Sequence, residues 1–224
     1  HRLVLIEARK LVATTAERLG LLFGVVVLLV VTALCAFLVN TDAPDTAAFQ
    51  LFGLVLAGHM APVLLYAAIL RSFSSEWYYR TIELTRLFHP GRVRNAAAQL
   101  AVLFGAGAVV SLLQFALYFA VRPGLAGMPL RALGVALLTG ALTVLLVLAI
   151  GLLIANPTGA ALCYVVVSVL LLARVVNPLV LRWFDPWQLS SYAAGSVIHV
   201  FPGLTALAVL LLLNGVGFAL ARNR

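Results

Sequence analysis

Charge is scarce in this sequence. Only 10% of its 224 residues are Asp, Glu, Lys or Arg, while 64% are hydrophobic and the mean hydropathy is +1.12. Soluble domains carry about 25% charged residues, so a chain this apolar lacks the polar surface to face water. Acids are scarcer still, seven Asp and Glu against fifteen Lys and Arg. Cysteine is nearly absent: Cys35 and Cys163 both lie in apolar runs and read as small buried hydrophobes rather than a disulfide or metal site. The chain has no phosphate loop of the Gly-x-x-x-x-Gly-Lys-Ser/Thr form; its one lysine, Lys10, follows Arg9, and Gly105 and Gly107 read as packing glycines. It also lacks a His-Glu-x-x-His zinc motif, a Gly-x-Ser-x-Gly elbow and an intramembrane pair of aspartates. Asp42-Ala-Pro-Asp45 reads as a turn.

What is present is long apolar runs rich in Leu, Val and Ala. Barrel strands would appear as alternating segments of about 10 residues, so the fold class expected is all-α, a single polytopic membrane domain. A helix needs about 20 residues to cross the hydrocarbon. Six segments qualify, at about 20–39, 51–70, 96–121, 132–155, 159–180 and 203–221. The net charge of +8 points to topology rather than to nucleic acid, because basic residues gather in cytoplasmic loops. Arg2, Arg9, Lys10, Arg18, Arg71, Arg80, Arg86, Arg92, Arg94, Arg222 and Arg224 fall on one side of the spans, and Arg122, Arg131 and Arg182 on the other. Both termini are therefore expected in the cytoplasm of a cell whose inner membrane holds this multi-pass chain.

Two segments are not simple spans. Residues 1–19 read as an interfacial helix with Leu3, Ile6, Lys10 and Thr14 near one stripe. Residues 181–202, with Trp183, Trp187 and Tyr192 suited to the interface belt, read as an outer re-entrant or interfacial helix pair, a plain surface loop being the alternative.

The loop at 71–95 is the most polar stretch. Glu76 and Arg80 stand one helical turn apart, acid first, and Pro90-Gly91 ends the pattern. A short amphipathic helix joined to two spans is a lever with a docking surface, or else a solvated loop that sets topology. Its residues Glu76, Arg80-Thr81, Glu83, Leu84, Leu87 and His89-Pro90-Gly91-Arg92 resemble the cytoplasmic segment of ABC-2 type permeases, the membrane subunits of ATP-binding cassette exporters. Glu7-x-x-Lys10 resembles that family's leading interfacial helix, and the layout of spans is similar over the whole chain. Arg80 and Gln99 depart from the pattern, where the family has Gly and commonly Lys. The resemblance implies a coupling helix at about 74–90 in which Glu76, Arg80, Thr81, Glu83, Arg86, Pro90 and Arg92 meet a separate cytoplasmic ATPase. It further implies a second permease copy or paralogue, with ATP and Mg bound on the partner subunit and no cofactor in this chain.

Polar side chains inside spans are costly and are candidates for function. His59, Gln114 and Asn214 are the candidate substrate-path residues, with interhelical hydrogen bonding as the competing role. Pro62 is expected to kink the second span and free a carbonyl for His59 or a water. No Asp or Glu falls inside any of the six segments. A secondary transporter normally needs such carboxylates for ion coupling, so an external energy source is expected. The expectation is an exporter subunit for a hydrophobic or amphipathic cargo such as a lipid, a drug-like natural product or a peptide; a secondary transporter or a lipid-modifying enzyme is the alternative.

Overall fold

The computed structural model describes residues 2–38, 47–78, 92–121, 128–154, 156–173, 183–195 and 197–223, and among them every regular element is a helix. In chain order these are α1 (Arg2–Lys10), α2 (Thr15–Leu38), α3 (Ala47–Met60), α4 (Val63–Tyr78), α5 (Arg92–Val121), α6 (Pro129–Leu153), α7 (Pro157–Ala173), α8 (Gln188–Ala193) and α9 (Phe201–Asn223).

Their boundaries have local causes. The expected interfacial helix over 1–19 instead ends at Lys10, because Thr14 and Glu17 form a reciprocal cap that starts α2. The Thr14 N–H donates to Glu17 Oε2 at 3.0 Å and the Glu17 N–H to Thr14 Oγ1 at 3.2 Å. The second expected span is two helices, α3 and α4, bent by 41°. Pro62 has no N–H to continue the ladder, and its own carbonyl accepts from Tyr66 N at 2.8 Å to open α4. Asn156 and Pro157 separate α6 from α7: Asn156 Oδ1 accepts from Thr158 N and Gly159 N at 3.0 and 3.1 Å, with Pro157 at the first helical position.

Helices α2, α5, α6 and α9 are each long and apolar enough to cross a membrane, and the bent pair α3–α4 is a fifth candidate if its two halves form one span. The expected fifth segment, 159–180, overlaps α7, which is shorter than the other candidates, and residues 174–180 lie outside the described residues. α6 is the central helix. It touches α3, α4, α5, α7, α8 and α9, and buried residues line most of its length, from Ala132 through Val135 and Leu142 to Leu152.

One core, around Tyr66, Leu70, Val147, Leu148, Tyr164 and Leu210, fills the end of the bundle that holds α4 and α7. A second, around Cys35, Leu51, Leu54, Tyr118, Val135 and Ala194, fills the end that holds α3 and α8. Small residues let backbones approach. A Cβ on Gly24 would lie 2.7 Å from Leu65 Cα, and one on Gly140 would lie 3.3 Å from the Gly107 carbonyl. The outward faces are apolar: Leu22, Phe23 and Val30 on α2, Val109 and Leu112 on α5, Leu162 and Val166 on α7, and Leu211 and Leu212 on α9. A soluble monomer rarely leaves so many large apolar side chains exposed in contiguous patches. Several long apolar helices faced this way are the construction of a membrane-embedded protein.

Candidate functional site: a buried polar cluster beneath α8

The three mid-span polar residues have different partners. Gln114, on α5, donates from Nε2 to the Ala57 carbonyl of α3 at 3.0 Å, one turn before the kink. Asn214, on α9, donates from Nδ2 to Leu145 O of α6 at 3.0 Å and to Leu210 O of its own helix at 2.8 Å. Both tie one helix to another, the role in which such groups are worth about 1 kcal/mol. At the kink it is Gln114, rather than His59, that reaches the α3 backbone.

His59 is 4% exposed, in the last turn of α3. Its ring lies against the Trp187 indole, with centroids 4.1 Å apart and planes inclined by 35°. Neither His59 Nδ1 nor Nε2 has a hydrogen-bond partner among the described residues, and the same holds for Trp187 Nε1 and Ser190 Oγ. A buried polar group left so costs about 1–3 kcal/mol, whereas an aromatic pair returns about 0.5–1.5 kcal/mol beyond its buried area. The centre of this contact is therefore not held by hydrogen bonding, and its stacking does not offset four unmet groups.

The margins hold it instead. Asp185 Oδ1 accepts from Trp187 N at 2.9 Å, an Asx turn that leads into α8, and Asp185 N donates to Pro202 O at 3.3 Å. Gln188 Nε2 donates to His199 O at 3.0 Å. At the far end Arg131 Nε, on α6, donates to Ala193 O at 3.0 Å, and Gly195 closes the helix at φ +75°. The first turn of α9 presses from the other side, where a Cβ on Gly203 would lie 2.7 Å from Leu189 N. Trp187, Ser190, Ser191 and Ala194 are all buried, one face of a short helix seated on α3 and α6.

The 181–202 segment thus differs from the expected helix pair. Its one described helix is α8, and residues 197–200 are extended or bent rather than helical. Of the aromatics assigned to the interface belt, Trp183 and Tyr192 are 57% and 49% exposed, whereas Trp187 is 8% exposed and belongs to the interior. Sequence reasoning missed the burial of Trp187 and Ser190 and the contact of Trp187 with His59. The signal was there in the i, i+3, i+4, i+7 spacing of 187, 190, 191 and 194.

A second polar group sits at the other end of the bundle. Glu7, on α1, is 7% exposed and accepts from Lys10 Nζ at 2.8 Å. It shares a crevice with Ser72 of α4 and Gln99 of α5. Val4, Leu5 and Ile6 face outward. Ala8 and Arg9 are exposed as well, so α1 turns Glu7 toward the bundle while Leu5 and Arg9, one turn apart, face outward.

Among the expected coupling residues, Arg80, Thr81, Glu83, Arg86 and Pro90 lie outside the described residues. Glu76 belongs to α4 and Arg92 opens α5. Cys35 and Cys163 are free thiols, and among the described residues no group of three or more His, Cys, Asp or Glu gathers as a metal site would. Comparison with protein-family models, with curated proteins and with solved structures finds no match to this chain.

Proposed function

We propose that this chain is the permease subunit of an ATP-driven exporter of the ABC-2 type, working as a permease dimer with a separately encoded cytoplasmic ATPase. The observation that carries the reading is the loop between α4 and α5, with its ordered acids, arginines and Pro-Gly end. The geometry around that loop supports a lever. α4 runs on through Arg71-Ser-Phe-Ser-Ser-Glu-Trp-Tyr78 with no break at the end of its apolar stretch, and α5 begins at Arg92, ahead of its own. Motion imposed on residues 79–91 is thereby applied to two helices that reach the core. α1, through Glu7, sits across the bases of both.

The proposed plan has six crossings, α7 with its continuation being one, and both termini in the cytoplasm. The absence of acids from the six apolar segments favours an outside energy source over ion coupling. The cargo is hydrophobic or amphipathic, since the bundle has little charge with which to select an ion. ATP and Mg belong to the partner.

Charge reversal tests the loop. In the assembled complex, Glu83→Lys or Arg86→Glu should lower ATP hydrolysis and transport by about tenfold, the equivalent of about 1.4 kcal/mol at the contact. Unchanged hydrolysis and transport would remove the coupling role, and transport driven by an ion gradient without ATP would remove the exporter reading.

A further inference from the structure

The crevice beside α1 holds two opposite charges in a fixed order. Glu7 Oε1 accepts from Lys10 Nζ at 2.8 Å, and the two side chains are unequally covered, Glu7 being 7% exposed and Lys10 29%. The carboxylate is thus the inner charge and the ammonium the outer one. Ser72 of α4 and Gln99 of α5, both buried, line the same crevice, together with the apolar Phe73 and Val102. Its depth follows from the helices that form it. The apolar stretch of α4 ends at Ser75 and that of α5 begins at Ala97. Ser72 therefore stands in the last turn of one stretch and Gln99 in the first turn of the other, with an exposed Arg71 beside Ser72. At that level hydrocarbon gives way to lipid headgroups.

The crevice has about 20 Å³ of room for water-sized groups, enough for about one. A phospholipid at its rim brings a phosphate that attracts the Lys10 ammonium. A phosphate that draws Lys10 outward strands a buried carboxylate, a costly state unless a second cation takes the place of the first. The headgroup itself can supply that cation. The ammonium of phosphoethanolamine is water-sized and carries three N–H donors, which suit the Glu7 carboxylate and the oxygens of Ser72 and Gln99. Its phosphate lies a two-carbon linker away, so its charges run in the order opposite to that of the protein. Choline carries the charge without an N–H, and its methyl groups are too bulky for the space. A phosphoglycerol hydroxyl fits the space but brings no cation. We propose that Glu7, Lys10, Ser72 and Gln99 form a binding site for the phosphoethanolamine headgroup of a bilayer lipid, with its ammonium on Glu7 and its phosphate beside Lys10. A lipid held in this way fastens α1 to the ends of α4 and α5. The site goes beyond the exporter reading and requires no ATPase.

Native mass spectrometry of the chain, offered equal amounts of phosphatidylethanolamine and phosphatidylcholine with the same acyl chains, tests the choice of headgroup. Phosphatidylethanolamine should be favoured about tenfold, the worth of one hydrogen bond to a charged group. Glu7→Gln keeps the side-chain length and an acceptor for Lys10 but removes the charge, and should bring the two lipids level. Ser72→Ala should lower the preference about threefold, and carries the test if Glu7→Gln does not fold. In phosphatidylcholine nanodiscs, added phosphatidylethanolamine should slow amide exchange in residues 2–10 and leave α6 unchanged. Equal binding of the two lipids, a preference that survives both substitutions, or phosphatidylglycerol taken ahead of phosphatidylethanolamine would overturn the proposal. Free phosphoethanolamine that protects residues 2–10 as well as the lipid does would also overturn it, by making the ligand a soluble one.

Discussion

Gln114, Asn214 and His59 are three polar side chains buried in apolar helices, and only their partners distinguish them. Asn214→Leu removes two donated bonds together with an Oδ1 that has no partner among the described residues. Its cost should be about 1 kcal/mol, read as a small loss of denaturation midpoint in detergent with transport retained. Gln114→Leu should cost more, about 1–2 kcal/mol, because it takes the Ala57 carbonyl's second donor at the bend; unfolding of the two variants side by side checks the order. The sequence marks all three as costly, since each interrupts an apolar run. It does not reveal which are satisfied. The acceptors of Gln114 and Asn214 are backbone carbonyls 57 and 69 positions away, and a carbonyl belongs to every residue type alike. Trp187 was hidden for a related reason: an aromatic beside Pro near a span end has the composition of an interface anchor, and burial is decided by what α3 places beneath it.

At the scale of elements, the caps were local signals that the expected helix over 1–19 ran through unread. Thr14-Thr-Ala-Glu17 and Asn156-Pro157 are local patterns whose side chains bond within three residues, so sequence alone contains both partners. The face of α1 was not legible in the same way. Glu7 turns toward a crevice shared with Ser72 and Gln99 as well as Phe73 and Val102, while Leu5 faces outward one turn from Arg9. Glu7→Ala should therefore loosen α1 by about 1–3 kcal/mol, seen as a tenfold or greater rise in amide exchange confined to residues 2–10. Exchange that rises equally along α2 would mean that Glu7 supports the whole bundle rather than the docking of one helix.

The whole molecule turns on the parity of its crossings. α2, α5, α6 and α9 are four candidates, and the bent pair α3–α4, counted as one span, is a fifth. With five, the two ends of the chain face opposite sides, and the arginines of the tail oppose those of the leading helix. With six, all the basic clusters except Arg122, Arg131, Arg174 and Arg182 fall on one side, which is the arrangement that the charge bias of membrane insertion selects. The element that decides is α7. Its 17 described residues rise about 25 Å at 1.5 Å per residue, short of the roughly 30 Å of hydrocarbon, and a crossing needs the helix to continue toward Arg174. In a chain with Cys35→Ser and Cys163→Ser, single cysteines at Val12, Asp45 and Asn223 report the answer through a membrane-impermeant maleimide. The expected result is labelling of Asp45→Cys on intact cells, with Val12→Cys and Asn223→Cys labelled only after the membrane is opened. Labelling of Asn223→Cys on intact cells would make α7 a helix that enters the membrane and turns back. The tail would then leave the side on which the proposed ATPase partner would dock, and the proposed six-crossing plan would fail.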